Sequence, residues 1–393
     1  MNVLFSELPA ISPVYNDNLI LTISGASGNT MYYAVTLVVN SITGDTFSYP
    51  AAPTSPFTAN LNLSPLLATY FTSNVYIPSY PYQLMEKISN SIFNYYIIAK
   101  LYTANNTLKA TAVTPTGYIF NGAYNKEDNF AITDYIINNS KGNFLTNWLT
   151  NREITVSGQT INNVGIEVYA PTNDLAFVNV LTGQYGSSYN TAFSGVKITR
   201  HQLNGSTSTI TSSYTDNTTK TLVNINISPS VLNSHSSGFI NGDTDYYTIE
   251  DLLGYTKQPM RINIVRDHKI TNFYNFLWLN KLGGVDFYTF TKVSNQNYKI
   301  SKQKLDQYLN QKVFYTDSQK SIIVQSQYLT SYMADKLKEL PQSPAVYVWF
   351  QGKLTAVQII TASLAVLDKY PKDNFQQFVI EFTFNNRNYL QLY

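Results

Sequence analysis

The strongest signal along the chain is an alternation of apolar and other residues with period two. Leu19, Leu21 and Ile23 alternate against Ile20 and Thr22, residues 31–39 continue the pattern, and Phe93, Tyr95, Ile97, Ala99 and Leu101 repeat it. Successive side chains of a strand point to opposite faces, so each run predicts a strand with one buried face. Between them lie turn-rich stretches such as Ser24-Gly25-Ala26-Ser27-Gly28-Asn29 and Thr103-Ala104-Asn105-Asn106. Short strands joined by such turns predict a β-sandwich.

Beyond a linker expected at 138–151, a second set of strands carries landmarks that echo the first. Asn60-Leu61-Asn62-Leu63-Ser64-Pro65 reappears as Asn224-Ile225-Asn226-Ile227-Ser228-Pro229. Each copy reads as an alternating strand ending in a Ser that caps a helical turn, with Pro at the first helical position, where its missing N–H costs nothing. Asn16-Asp17-Asn18-Leu19 likewise anticipates Thr172-Asn173-Asp174-Leu175, and Tyr118-Ile119-Phe120-Asn121-Gly122 has a looser counterpart in Leu277-Trp278-Leu279-Asn280-Lys281. The shared order, at an offset of about 160 residues, points to a duplicated domain.

The last part of the chain differs. Residues 321–327 read as a strand, followed by a helix with Leu329, Met333, Leu337 and Leu340 on one face and Pro341 ending it. Strand-like runs at 345–350 and 375–384 follow, the second with Phe378, Ile380, Phe382 and Phe384 on one side. The expected fold is therefore mainly β, with two tandem β-sandwich-like domains at 1–137 and 152–312, then a C-terminal α+β domain at 313–393.

Composition narrows the function. Lys plus Arg number 26 against 24 Asp plus Glu, and charged residues make up only 13% of the chain, so nothing favours phosphate binding and no direct nucleic-acid readout is expected. The absence of Cys excludes disulfides, thiolate metal sites and a cysteine nucleophile. No run of about 18 apolar residues suggests a membrane span, and 1–13 do not read as a secretory signal, so the chain is expected to be made and kept in the cytoplasm until something releases it.

Candidate chemistry is sparse. His201, His235 and His268 are too dispersed for a zinc motif and read as turn or surface residues, and there is no Gly-x-Ser-x-Gly elbow. Asp243 with Asp245, or Glu250 with Asp251, supply the acids a glycosidase needs. In Asn241-Gly242-Asp243-Thr244-Asp245, however, they read first as a solvated turn and only second as a weak calcium loop. Leu282-Gly283-Gly284-Val285 lacks the Lys-Ser or Lys-Thr of a phosphate loop. No cofactor, metal or catalytic residue is expected.

The distinctive segment runs from Phe276 through Trp278, Asn280, Gly283, Gly284 and Asp286 to Phe290. Two apolar strands flank a Gly-Gly turn, which predicts a tight hairpin in the core of the second domain, because glycine reaches positive φ without steric cost. Its Trp-Leu-Asn-x-Leu-Gly-Gly-x-Asp run resembles a segment of tail-associated virion proteins of tailed phages, notably those infecting Bacteroidetes. The resemblance extends to Ser12-Pro13-Val14-Tyr15-Asn16-Asp17, to 31–40, and to Leu61-Asn62-Leu63-Ser64-Pro65-Leu66-Leu67. It also takes in Leu337-Lys338-Glu339-Leu340-Pro341-Gln342-Ser343-Pro344 and Val379-Ile380-Glu381-Phe382-Thr383-Phe384. Similar proteins often carry an acidic Phe-Asp before the Ser turn, where this chain has Ala59-Asn60-Leu61-Asn62.

The resemblance implies a non-enzymatic structural component of the virion tail, in a neck or collar ring or the baseplate. It would assemble as a homo-oligomer beside other tail proteins. Uncharged Tyr- and Asn-rich faces suit such packing. A receptor-binding adhesin would instead gather aromatic ring faces around an exposed groove, and a polysaccharide-degrading tail enzyme would pair acids in a cleft.

Overall fold

The structure, a computed structural model, describes residues 3–16, 19–25, 30–52, 57–71, 83–103, 105–124, 132–138, 142–146, 148, 154–156, 159–161, 166–169, 174–185, 189–216, 218–257, 259–265, 273–307, 310–329, 331–350, 352–366, 376–384 and 388–390. Strands dominate, and the fold is mainly β with sandwich-like halves.

In the first sandwich, a small antiparallel sheet joins Val3–Phe5, Ile20–Gly25 and Ala59–Asn62. A larger sheet has the order Ile11–Asn16, Gly117–Tyr124, Ile92–Thr103, Thr30–Val39, Ile42–Pro50, and Leu108–Val113 also pairs with Ile92–Thr103. The alternation in the sequence explains the packing: Tyr95, Ile97, Ala99 and Leu101 point inward from one sheet and meet Leu21, Ile23 and Leu61 from the other in one core.

The second sandwich has the same plan. Its larger sheet runs Ile166–Tyr169, Met260–Val265, Thr244–Asp251, Gly195–Gln202, Thr207–Ser213. In both large sheets the first two strands of this order are parallel to one another. Equivalence of order places Ala59–Asn62 against Thr221–Asn226, and each is followed by a short helix, Ser64–Ala68 and Pro229–His235. Leu19 and Leu175 also occupy matching places, just ahead of Ile20–Gly25 and Phe177–Thr182. Residues 17, 18, 172 and 173 of those landmarks lie outside the described residues.

Two details of the repeat differ from expectation. Neither Ser64 nor Ser228 caps its helix through its side chain. The Asn two residues earlier makes the corner instead: Asn62 Oδ1 accepts the Ser64 N–H at 3.1 Å, and Asn226 Oδ1 accepts the Ser228 N–H at 3.1 Å. Second, 118–122 does not correspond to 277–281. Gly117–Tyr124 is matched by Met260–Val265, whereas Tyr274–Leu279 belongs to another sheet.

The small sheet of the second sandwich completes itself with a strand from the first half of the chain. Phe177–Thr182 and Thr221–Asn226 are joined by Met85–Ile88, and the Asn226 N–H donates to the Leu84 carbonyl at 2.8 Å. An ion pair between Lys87 and Asp216 flanks this addition.

From 274 onward one sheet collects the chain, in the order Val285–Phe290, Tyr274–Leu279, Val346–Phe350, Lys353–Val366, Gln376–Phe384, Asn310–Leu329, Lys292–Gln307, with Asn388–Leu390 also on Asn310–Leu329. The hairpin assigned to the second domain is hydrogen-bonded to Val346–Phe350, and the boundary drawn at 312/313 falls inside Asn310–Leu329. The helix is shorter than the apolar spacing predicts. Leu329 ends a strand, the helix is Ser331–Leu337, and Pro341 lies within a separate 3-10 turn, Leu340–Gln342, rather than at the helix end. All four predicted face residues are still buried. The second sandwich and this sheet share one core, in which Phe177 and Ile225 join Phe276, Trp278 and Phe382.

The two corners predict unequal costs. Asn226 is buried and also accepts the Ser228 hydroxyl at 2.6 Å, whereas Asn62 is exposed. Asn226→Ala should therefore cost about 1–3 kcal/mol, and Asn62→Ala about 0.5–1 kcal/mol. Urea unfolding of both variants checks this, and equal losses would contradict it.

Candidate functional site

The hairpin singled out in the sequence sits where the parts of the chain meet. Asn280 organises its turn: the side-chain Oδ1 accepts the N–H groups of Leu282 at 2.9 Å and Gly284 at 3.0 Å, while Nδ2 donates to the Leu145 carbonyl at 3.1 Å. Gly283 has a φ of +83°, and a Cβ there would lie 2.3 Å from the Asn121 carbonyl oxygen. At Gly284 a Cβ would lie 2.0 Å from the Leu145 carbonyl oxygen. Both glycines are therefore required by backbone approaching backbone, from the first sandwich on one side and the connecting segment on the other. The Ala123 N–H donating to the Lys281 carbonyl at 2.6 Å seals the first contact.

The strands of the hairpin carry polar groups into the interior, and several of them find partners on other parts of the chain. Asp286, 1% exposed, accepts the Thr146 hydroxyl at 2.6 Å. Asn179 of the second sandwich accepts the Val285 N–H at 2.7 Å, and its side-chain amide donates to Asn224 at 3.2 Å. Asn275 accepts the Leu175 N–H at 3.1 Å and donates to Thr289, whose hydroxyl donates to Asp174 at 2.9 Å. Trp278 meets Trp148 edge to face with ring centroids 6.1 Å apart, and Trp148 stacks on Tyr288 at 6.4 Å. Trp278, Asn280, Gly283, Gly284 and Asp286 thus act together in one junction. Thr146, Trp148, Asn179 and Asn275, which the sequence reading does not name, join them, as does Asp174, which it names only as a landmark of the repeat. An Asn inside an otherwise apolar run, as in Phe177-Val178-Asn179-Val180 and Tyr274-Asn275-Phe276, is the signal that could have found two of these.

Beside the turn a cleft of about 460 Å³ opens between the first sandwich and Ser331–Leu337 with the turn after it, lined by Tyr15, Asn121, Lys281, Asp335, Lys338 and Glu339 among others. Its charges are matched internally, with Lys281 3.5 Å from Glu339 and Lys338 2.6 Å from Asp335. Burial pushes the Glu339 carboxyl above its ordinary pKa, against the pull of Lys281 and Lys336.

The other candidate acids have structural partners. Asp251 is fully buried and accepts the N–H groups of Ser194 at 3.1 Å and Leu253 at 2.9 Å. Glu250 pairs with Lys197 at 2.8 Å. Asp243 is exposed in a turn held by Asn241, whose Oδ1 accepts the Asp243 N–H at 3.0 Å, and Asp245 enters Thr244–Asp251. His201 stacks on Tyr246 at 4.3 Å, His235 ends its helix, and His268 lies outside the described residues. Among the described residues no three His, Asp or Glu side chains are grouped to hold a metal, and no helix is long and apolar enough to cross a membrane. Compared with known proteins, the chain matches no protein-family model and no curated protein.

Two predictions follow from this geometry. Gly284→Ala should cost about 2–3 kcal/mol because the clash is with backbone. Gly254→Ala, at a φ of +74° in open space, should cost about 1 kcal/mol for its left-handed backbone alone. Thermal unfolding distinguishes them, and the reverse order would contradict the junction.

The second concerns pH. The folded chain binds the Glu339 proton more tightly than the unfolded chain does, so stability falls as pH rises from the ordinary carboxylate range through the raised value. Glu339→Gln should remove this slope, improving relative to the parent between about pH 4 and pH 7. Urea titrations at both pH values that show the variant worsening instead would contradict the burial assigned to Glu339.

Proposed function

We propose that the chain is a non-catalytic structural component of a tailed-phage virion, placed in the tail as part of a neck or collar ring or the baseplate. It assembles through interfaces with its own copies and with other tail proteins. The observation that carries this reading is the use of its aromatic residues. Among the described residues the largest fully buried side chains are Trp278, Tyr33, Tyr95, Tyr185, Tyr247, Tyr288 and a set of Phe, so these rings build core and junction. Tyr246, on an outer sheet face, is stacked by His201 from one neighbouring strand and approached by the Arg261 guanidinium, 3.3 Å from its centroid, on the other. That leaves it poorly placed to stack on a sugar. Of the acids considered for a hydrolase, Asp251 is buried in hydrogen bonds to the protein's own backbone, Glu250 pairs with Lys197, and Asp243 and Asp245 serve an exposed turn and a strand start. The motif resemblance to tail-associated virion proteins supports the same reading.

Light scattering of the purified chain with negative-stain imaging tests it. A closed ring is the expected result, and a compact trimer that binds host surface glycan would favour a tail adhesin. Asp243→Ala and Asp245→Ala should leave the assembled mass unchanged, since these residues serve a local turn and a strand start.

A further inference from the structure

The outer strand of the second sandwich's larger sheet is an open edge. Thr207–Ser213 reads Thr-Ser-Thr-Ile-Thr-Ser-Ser and pairs on one side, in unbroken register, with Gly195–Gln202. Among the described residues no strand pairs with its other side. It has no charge, no Pro and no bulge, the devices by which edge strands avoid pairing. The equivalent edge of the first sandwich has each of these: Ile42–Pro50 carries Asp45 and Pro50 and pairs across a register shift.

Which backbone groups the strand leaves unpaired follows from its ladder. The Gln202 N–H donates to the Ser206 carbonyl at 2.9 Å, and the Tyr214 N–H donates to the Ser194 carbonyl at 2.8 Å, just beyond the two ends. Hydrogen-bonded pairs alternate along antiparallel strands, so between these bonds Ser208, Ile210 and Ser212 share their backbone groups with Arg200, Ile198 and Val196. Thr207, Thr209, Thr211 and Ser213 turn theirs outward, away from the sheet. The side chains alternate in the same way. Those of the outward residues are exposed, whereas Ser208, Ile210 and Ser212 are half-buried, with Ile210 packed against the core.

The sequence on either side of Ile210 is self-complementary. Thr209 is answered by Thr211, Ser208 by Ser212, and Thr207 by Ser213. A second copy related by a two-fold axis at Ile210 lies antiparallel along the edge and brings the outward backbone groups opposite one another, Thr209 to Thr211 and Thr207 to Ser213. Ile210 then faces its own counterpart in a non-hydrogen-bonded pair, where side chains approach most closely. The one apolar residue of the strand thereby covers what its twin leaves exposed. The charges fit as well. Lys197 lies beside Thr211 and Thr199 beside Thr209, so each Lys197 lines up with Thr199 of the second copy and no like charges meet.

We propose that Thr207–Ser213 binds the same strand of a second copy of this chain, edge to edge about a two-fold axis at Ile210, so that two five-stranded sheets become one. The contact goes beyond the reading of the chain as a virion component and does not depend on it. It is isologous and closes on itself, so a ring built with it contains an even number of copies.

Because the chain has no Cys, single cysteines report the register. Under mild oxidation Ile210→Cys should cross-link to its own copy, since the Cα atoms of a non-hydrogen-bonded pair lie about 4.5 Å apart, within disulfide reach. Ser208→Cys should not cross-link alone, its counterpart being about 13 Å away along the strand, but should do so when mixed with Ser212→Cys. Thr209→Pro removes an outward N–H and no bond of the chain's own ladder. Light scattering should show its mass at half the parent's or less, with the melting temperature retained. A parent assembly that keeps its mass in Thr209→Pro and gives no Ile210→Cys cross-link would overturn the inference and leave the proposed function standing. Ser208→Cys cross-linking alone as readily as Ile210→Cys would overturn the two-fold register, and so would an assembly lost in Thr209→Pro without an Ile210→Cys cross-link. A parent monomeric at every concentration would overturn this contact and the expected ring together. Should Thr209→Pro fail to fold, the cysteine variants decide.

Discussion

At the turn of the 274–290 hairpin, three backbones approach so closely that no side chain fits between them. Gly283 faces the Asn121 carbonyl and Gly284 faces the Leu145 carbonyl, each nearer than any Cβ allows. That approach brings the end of the first sandwich, the connecting segment and the last sheet to one point. The buried polar groups around it follow from the same closeness. Backbone N–H groups at Val285 and Leu175 are taken out of water there, and Asn179 and Asn275 accept from them. The junction is thus held by directional bonds in a dry interior, where a missing partner costs more than a made bond gains.

The repeat shows how one local pattern serves two settings. Both copies end an alternating strand in Asn-x-Ser-Pro, and in both the Asn oxygen turns the corner into a short helix. In the first copy that strand faces solvent, and Asn60 and Asn62 are exposed. In the second the strand is buried throughout, and Asn224 and Asn226 lie in the interior. Here the hairpin covers the small sheet, with Asn179 bonded to both Val285 and Asn224. Met85–Ile88 crossing into the same sheet ties the copies together from the opposite edge.

Local features of the fold were legible in the sequence. Alternation marked the strands around Tyr95 to Leu101 and around Phe378 to Phe382, and the doubled glycine marked the turn. What escaped was pairing at a distance. Nothing near Trp278 announces that its strand bonds to Val346 rather than to the second sandwich, because strand partners are chosen by which faces the whole chain leaves to be covered. The similarity of 118–122 to 277–281 was a misleading signal: the two segments touch, through Ala123 and Lys281, without being equivalent. Leu329 fitted a helical spacing but lies at a strand end, where its burial is equally well served. The junction residues Thr146, Asp174 and Thr289 gave no local sign, since their roles exist only once the parts meet.

The hairpin, bonded to the second sandwich and packed against the first, should make the β-units a single cooperative body. Differential scanning calorimetry tests that most directly. The account predicts one transition whose calorimetric and van't Hoff enthalpies agree. Separate transitions, with the first sandwich melting apart from the rest, would contradict it.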